Sequence, residues 1–423
     1  MPIRPLALLP ALALILTTPL QAAPNPTDWE AVLEEARGQT VYWNAWGGDS
    51  RTNRYIEWVA RRVAEEHDLS LVHVKLDDTS AAVSRVLAEK SAGNLDDGSI
   101  DLIWINGENF AAMKEADLLH GPFAERLPNF ALTHPGHNPE VVTDFTLPTE
   151  GYESPWGKAQ ITFYYDSEDM GDSEDMGDSE DIGDSEKMGD TGPPRSIEAL
   201  AAWAEANPGR FAYPRIPDFT GSTFLKQALI ALVEDTAPLY APAEESDFAA
   251  VTAPLWEYLD ALHPHLWRSG RQFPATGPEL RRLIGDGELS LAFTFYPSEP
   301  AAAVADFELP ESVRSYVLDD GTLGNVHFVA IPFNSPRRAG AMAVADFLLS
   351  PEAQAHKQDL AVWGDRTVLD VARLPEADRA RFAIDEENPA MLPADALEKT
   401  LAEPHPSWMT ALQEAWRERY VRR

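Results

Sequence analysis

The chain has 423 residues, 44% of them hydrophobic, and carries 34 basic against 69 acidic side chains. Its length suggests two domains with sizeable cores. The formal net charge of −35 argues against binding to nucleic acid or to an anionic membrane surface, because both require clustered Lys and Arg. An acidic surface favours solubility and attracts cations, although adaptation to high salt would produce the same excess.

Residues 1–22 have the pattern of a secretory signal peptide. Arg4 supplies a positive start, residues 6–16 form a short apolar run, and small residues at Ala22 and Ala23 suit cleavage. The chain contains no cysteine, which excludes disulfides and removes the acceptor for a lipid anchor. We therefore expect a periplasmic protein that is not lipid-anchored.

Three strand–loop–helix units follow and predict a mainly parallel sheet with right-handed crossovers. The strands are predicted at residues 39–46, 69–76 and 100–105. In sheets of this kind, ligands bind at the carboxyl ends of the strands. We therefore expect one common rim, formed by the loops at residues 43–50, 77–80 and 106–109.

A strand predicted within residues 152–166 is interpreted as the crossing into a second lobe. A second α/β series follows, and the strand predicted at residues 289–295 is interpreted as the crossing back. The expected fold class is α/β with two lobes, each a mainly parallel sheet flanked by helices. The expected bounds are residues 23–162 with 296–370 for lobe 1, and residues 163–295 with 371–423 for lobe 2.

Residues 166–190 form an acidic insert within the second lobe. The hexapeptide Asp-Ser-Glu-Asp-Met-Gly recurs four times with small variations. Charge repulsion and the scarcity of apolar side chains favour a disordered surface loop. The carboxylates would also suit Ca²⁺, but the repeat lacks the patterns of calcium β-helices and EF-hands.

Residues 324–354, which include Phe-Leu-Leu-Ser-Pro-Glu-Ala-Gln, resemble the extracellular solute-binding proteins of ABC importers. Residues 41–48, 104–110 and 155–165 resemble, more narrowly, the YnjB-type group, which is related in architecture to thiamine, polyamine and ferric-ion binding proteins. The resemblance implies a type II periplasmic-binding fold, a small solute held between two lobes and a membrane permease as partner. We also expect a monomer.

Sequence motifs of catalysis are absent: there is no Gly-x-Ser-x-Gly, no His-Glu-x-x-His and no phosphate loop. The adjacent Tyr164 and Tyr165 are similar to the tyrosine pair of ferric-ion binders, but neighbouring side chains on a strand point to opposite faces. We therefore expect no catalytic residue, no metal and no cofactor. A secreted hydrolase that uses Asp or Glu is the alternative.

The candidate binding site combines aromatic residues with carboxylates on the predicted rim loops. This combination suits a cationic or flat ligand, although each Trp could instead belong to a core and each acid could be a solvated helix cap. A thiamine-like solute is the leading expectation, and a sugar or a ferric ion is the alternative. The predicted ligand-binding residues are Trp43, Trp46, Gly47, Asp49, Thr79, Ser80, Asn106, Glu108, Trp156, Tyr164, Thr220, Ser222, Tyr296, Glu299, Trp363 and Asp365.

Deleting residues 172–189 should leave the fold and the ligand affinity unchanged, because a repeat with many charges and few apolar side chains is not expected to bury a core. Circular dichroism would report the fold of the shortened protein, and calorimetric titration would report its affinity. Loss of either property would show that the insert is more than a dispensable loop.

Overall fold

The computed structural model describes residues 28–170, 192–383, 388–392 and 394–421. The predicted signal peptide and most of the acidic insert lie outside these residues. The strands in the described residues are β1 (Thr40–Trp46), β2 (Ser70–Leu76), β3 (Leu102–Ile105), β4 (Thr143–Asp144), β5 (Leu147–Pro148), β6 (Glu153–Gln160), β7 (Thr162–Asp166), β8 (Leu291–Thr294), β9 (Val313–Tyr316), β10 (Thr322–Ala330) and β11 (Thr400–Leu401).

Helices alternate with the strands from β1 to β3, and longer runs of helices follow β7 and β10. They are α1 (Trp29–Ala36), α2 (Ser50–His67), α3 (Ser80–Ser91), α4 (Gly107–Glu115), α5 (Ser167–Met170), α6 (Ile197–Ala206), α7 (Phe219–Leu232), α8 (Phe248–Leu262), α9 (Gly277–Gly285), α10 (Glu299–Ala305), α11 (Arg338–Leu348), α12 (Pro351–Gln358), α13 (Glu376–Arg379) and α14 (Pro406–Tyr420). Within the described ranges, no helix has the length and apolar character needed to cross a membrane.

The larger sheet contains the three predicted parallel strands. β1 pairs in parallel with β2 along its whole length and with β3 at Trp43 and Asn44. β3 is buried from end to end, as its continuous apolar sequence predicts. The strand order is β11-β10-β3-β1-β2, with β6 beside β10. The loops after β1, β2 and β3 consequently share one edge of the sheet, which is the predicted rim.

The smaller sheet differs from the prediction of a mainly parallel sheet. β7 lies between β8 and β9, and it pairs antiparallel with both. The reason is the direction of the chain: β7 leads away from the larger sheet, whereas β8 and β9 run back toward it. Parallel pairing occurs in a single bridge between Phe211 and Leu291.

The chain leaves the larger sheet where β6 is followed by β7. β6 belongs to the larger sheet and β7 to the smaller one, with Ile161 between them, and the Ile161 N–H donates to the Leu323 carbonyl at 2.8 Å. The strand that returns is β10, which pairs antiparallel with β6. We therefore propose β10 as the return strand, in place of the predicted residues 289–295, because Leu291–Thr294 form β8 of the smaller sheet. The apolar sequence of residues 289–295 contains nothing that distinguishes a strand within the second sheet from a strand that crosses between the lobes.

The buried apolar residues form two clusters. The first core draws on residues 32–156 and 326–382, and the second on residues 159–323 and 390–416. Because β10 is the return strand, residues 301–323 pack in the second core, although the predicted bounds placed them in lobe 1. We propose lobe bounds of 28–160 with 325–383, and 161–324 with 388–421.

Replacing Trp156 with Ala should lower the free energy of unfolding by about 3–5 kcal/mol, the usual cost of truncating a buried aromatic residue. Trp156 is fully buried, and its ring lies 5.2 Å from that of Trp43 and 4.8 Å from that of Trp104. Urea unfolding followed by circular dichroism would measure the change. Leu95→Ala is the control, because Leu95 is 60% exposed; an equal loss in both variants would contradict the burial of Trp156.

Candidate functional site

A cavity of about 400 Å³ lies between the two cores. Its first-lobe wall comes from the loops after β1, β2 and β3, and its second-lobe wall comes from the starts of α7 and α9 and the loop after β8. A volume of this size is typical of sites for small organic molecules. The cavity therefore lies on the rim that the strand–loop–helix pattern predicts.

Helices from both lobes begin at this cavity with a carboxylate on their N-terminal N–H groups. Asp49 caps α2, and its Oδ1 accepts from the Arg51 N–H at 2.7 Å. Asp218 caps α7, and its Oδ1 accepts from the Thr220 N–H at 2.9 Å. Asp and Asn side chains are preferred at this position because they satisfy backbone donors that have no partner within the helix.

The two helices between α2 and the first crossing also begin with a backbone N–H bonded to a carboxylate, which in both cases lies outside the N-cap residue. At the start of α3, Asp78 Oδ1 accepts from the Ser80 N–H at 2.8 Å. At the start of α4, Asp144 Oδ2 accepts from the Gly107 N–H at 2.6 Å. The partial positive charge of a helix N-terminus favours anions. At α2, α3, α4 and α7 a carboxylate of the chain already occupies that position.

Arg281, on α9 of the second lobe, contacts three carboxylates. Its Nη2 lies 3.2 Å from Asp49 Oδ2 in the first lobe, its Nε lies 2.9 Å from Glu308 Oε2, and its Nη1 donates to Glu299. Arg281 and Asp49 are both only 11% exposed. Asp49 and Glu299, two of the predicted ligand-binding acids, are therefore both paired with a protein cation, which they share with Glu308.

Arg51, at the start of α2, makes a second connection between the lobes. Its Nη2 lies 2.8 Å from Asp306 Oδ2 and 3.6 Å from Glu308 Oε2, and its side chain is 3% exposed. Glu308 thus contacts both arginines. We call the set Asp49, Arg51, Arg281, Glu299, Asp306 and Glu308 the arginine cluster.

Three other carboxylates on the cavity wall, Asp78, Glu108 and Asp218, form the carboxylate trio. In the described part of the chain, no Lys or Arg forms an ion pair with any of them. Burial raises the pKa of Glu108 to about 7 and that of Asp218 to about 6, and the charge of Asp78 contributes to both increases. Within these residues the trio therefore has no ion-pair partner, and a cation bound beside it would favour its ionised form.

Three buried side-chain polar atoms on the wall have no hydrogen-bond partner in the described structure: Thr52 Oγ1, Glu108 Oε2 and Asn325 Oδ1. The Asn325 amide is oriented by its Nδ2, which donates to Glu403 Oε1 at 2.9 Å, and Glu403 is in turn paired with the buried Lys226 at 2.6 Å. A buried acceptor without a partner costs about 1–3 kcal/mol. A ligand N–H or O–H donor would remove that cost.

Aromatic side chains complete the wall. The Trp363 ring lies 5.9 Å from that of Tyr296 and 6.0 Å from that of Trp104, and Trp46 and Phe219 also line the cavity. Such faces can stack on a flat ligand or contact a cation.

One arginine on the wall differs from those of the arginine cluster. The Arg215 side chain lines the cavity and is exposed to solvent. Water screens a charge in that position.

The structure brings part of the predicted site together on the cavity wall. The predicted residues that line the cavity are Trp46, Asp49, Thr79, Asn106, Glu108, Thr220, Tyr296, Glu299 and Trp363. The other predicted residues do not line it; they are Trp43, Gly47, Ser80, Trp156, Tyr164, Ser222 and Asp365. Gly47 and Ser80 belong to the rim loops, whereas Trp43, Trp156, Tyr164, Ser222 and Asp365 are buried.

The buried position of Asp365 has a specific cause. Asp365 Oδ2 accepts from the buried Lys357 ammonium and lies 3.1 Å from His327 Nε2. Asp365, a predicted ligand-binding residue, is therefore held in a buried ion pair and does not line the cavity. Trp43 and Trp156 lie on strands and pack edge to face in the first core.

Several residues of the wall were not predicted. Asp218 has a local signal, since Asp followed by a helix in the second lobe is a typical cap. Arg281 and Asn325 have no such local signal. Arg281 lies inside α9 and Asn325 inside β10, and only the tertiary structure places them at the cavity. Within the described ranges, no group of three or more His, Asp or Glu is placed to hold a metal ion, and neither Tyr164 nor Tyr165 lines the cavity.

Residues 58–380 match the family model of the bacterial extracellular solute-binding proteins, and the chain belongs to that family. Protein YnjB of Escherichia coli (strain K12) is 43% identical to it over 398 residues, which cover 94% of this chain and 95% of YnjB.

Two solved structures share the fold at lower identity. The spermidine/putrescine ABC transporter substrate-binding protein PotD from Streptococcus pneumoniae is 15% identical with a TM-score of 0.56, covering 90% of this chain and 100% of PotD. The periplasmic binding protein AfuA from Actinobacillus pleuropneumoniae, with fructose-6-phosphate bound, is 14% identical with a TM-score of 0.59, covering 90% of this chain and 98% of AfuA. The predicted two-lobed α/β fold of periplasmic binding proteins is confirmed.

Replacing Glu108 with Gln should raise the melting temperature of the ligand-free protein at pH 8 and change it little at pH 5. Burial raises the pKa of Glu108 from its ordinary value of 4.5 to about 7, so the folded state holds this proton more tightly than the unfolded state does. The group therefore costs stability as the pH rises from about 4.5 through about 7. Differential scanning calorimetry at both pH values would measure the effect.

Glu115→Gln is the matched control, because Glu115 is exposed at the other end of α4. Its melting temperature should follow that of the parent protein at both pH values. A Glu108→Gln variant less stable than the parent at pH 8 would contradict the inferred cost of ionising Glu108.

Proposed function

We propose that this protein is the periplasmic substrate-binding component of an ABC importer and captures a small cationic organic solute between its lobes. Membership of the solute-binding family supports the first part. The proposed partners are the solute and a membrane permease, and the proposed state is a monomer. Binding would shift an equilibrium between open and closed lobes, because the solute contacts both lobes only in the closed form.

The proposal of a cationic ligand rests on the helix N-termini, where carboxylates of the chain already accept the free N–H groups. Helix N-termini are common sites for phosphate and carboxylate ligands. Here Asp49, Asp78, Asp144 and Asp218 already accept from those N–H groups. An anionic ligand would meet the carboxylates instead of the helix donors. This arrangement favours a cation over a sugar phosphate.

The carboxylate trio is the part of the cavity wall at which the cation is proposed to bind. Its acids have no arginine or lysine partner in the described structure, and one of them, Glu108, also carries a buried acceptor without a donor. A hydrogen bond between a charged donor and a carboxylate is roughly twice as strong as one between neutral groups. A ligand ammonium or amidine N–H would therefore satisfy both the charge and the acceptor.

The aromatic wall favours a flat or quaternary cation. A cation over an aromatic face gains roughly 0.5–2 kcal/mol, and more when water is excluded. Trp363 and Tyr296 are adjacent on the wall, and lobe closure would exclude water there. A thiamine-like solute, which has a flat aromatic ring with a cationic centre, remains the leading proposal.

Calorimetric titration with thiamine, putrescine and a neutral disaccharide tests this function. At least one of the two cations should bind, and Glu108→Gln and Asp218→Asn should each weaken that binding about tenfold or more, because a lost charged contact is worth roughly 1.5–3 kcal/mol. Glu115→Gln is the control and should bind like the parent protein. Binding of the disaccharide alone, unaffected by either substitution, would contradict the cationic ligand while leaving the transport role in place.

The same samples distinguish a binding protein from a hydrolase. After incubation with the bound solute, mass spectrometry should recover it unchanged, and the protein should melt at a higher temperature because ligand binds only the folded state. Conversion of the solute to a product would contradict the proposed role and favour the enzyme alternative.

A further inference from the structure

Arg281 differs from Arg51 and Arg215, which also line the cavity, because its side chain contacts the carboxylate that caps α2. Its guanidinium lies on the cavity wall, and each of its three nitrogens contacts a different carboxylate: Asp49, Glu299 and Glu308. The side chain is 11% exposed. A guanidinium with three carboxylate partners has little hydrogen-bonding capacity left for a ligand.

Arg281 masks two acids that would otherwise face the cavity. Asp49 and Glu299 both line the wall, and they are 11% and 14% exposed. Asp49 is fixed by its capping of α2, so its carboxylate would remain at the wall without the arginine. The cavity wall therefore contains two groups of acids: one that is ion-paired with Arg281 and one, the carboxylate trio, that forms no ion pair within the described residues.

We propose that Arg281 determines specificity by occupying the position that a second positive charge of a ligand would take. The site would then accept a solute with one cationic group, held at the carboxylate trio, and would discriminate against diamines and polyamines. This inference rests on the proposed binding of cations. It adds to that proposal a prediction of how many positive charges the ligand carries.

The physical basis is the cost of placing a second ammonium group near Arg281. Like charges repel strongly where water is largely excluded. The alternative, displacement of the guanidinium, would break three ion pairs in a largely buried setting, and the loss of one partner of such a pair is costly. A ligand with a single cationic group at the trio avoids both costs.

The test compares two ligands of similar length that differ in charge: putrescine, with two ammonium groups, and N-acetylputrescine, with one. Arg281→Gln removes the protein cation and leaves Asp49 and Glu299 in place. We expect Arg281→Gln to bind putrescine about ten to a hundred times more tightly than the parent protein does. Its affinity for N-acetylputrescine should rise much less. Isothermal titration calorimetry would measure both ligands on both proteins.

Two further variants separate specificity from a general structural effect. Arg51→Gln removes the other arginine of the arginine cluster, which contacts Asp306 and Glu308 rather than Asp49, and it should not gain affinity for putrescine. The double variant Arg281→Gln/Asp49→Asn should lose most of the gain, because the released carboxylate is gone. Circular dichroism would confirm that all variants are folded.

Failure of this inference is distinguishable from failure of the proposed function. If Arg281→Gln binds putrescine no more tightly than the parent protein, or if Arg51→Gln gains as much, the specificity role of Arg281 is wrong. Whether the parent protein binds any cation is a separate measurement, made with thiamine and putrescine on the unmodified chain.

Discussion

The antiparallel pairing of β6 with β10 is the interaction on which the two-lobed arrangement depends. It runs from Glu153 opposite Ala330 to Gln160 opposite Gly324, so the strand that leaves the larger sheet lies against the strand that returns to it. The hydrogen bonds between them hold the lobes side by side. The loops after β1, β2 and β3 consequently face the starts of α7 and α9, and the cavity is the space between these two sets of loops.

The charges of the cavity follow from how the helices are capped. A helix that begins at a cavity wall needs acceptors for its first N–H groups, and this chain supplies carboxylates at α2, α3, α4 and α7. These carboxylates stabilise the helices and also make the cavity wall acidic. The two arginines offset part of the resulting negative charge and join the lobes, since Arg281 contacts Asp49 and Arg51 contacts Asp306.

The sequence predicts the rim of the site better than its interior. Periodicity and capping residues locate the ends of strands and helices, so Asp49 and Glu108 could be placed at the cavity. The environment of a tryptophan depends on tertiary packing: Trp363 packs in the first core and also lines the cavity, whereas Trp156 packs in that core and does not line the cavity. The partner of a carboxylate is likewise invisible in sequence: the lysine that pairs with Asp365 became evident only in the fold.

The discontinuous cores have a consequence for how the chain matures. The first core needs residues 326–382 in addition to residues 32–156, and the second needs residues 390–416, including Trp408 and Trp416. Neither core can be completed until nearly the whole polypeptide has been synthesised. At about 5–20 residues per second, β6 exists for roughly 10–30 seconds before β10 emerges from the ribosome. A chain that remains unfolded for this time can enter a narrow secretion channel without first having to be unfolded.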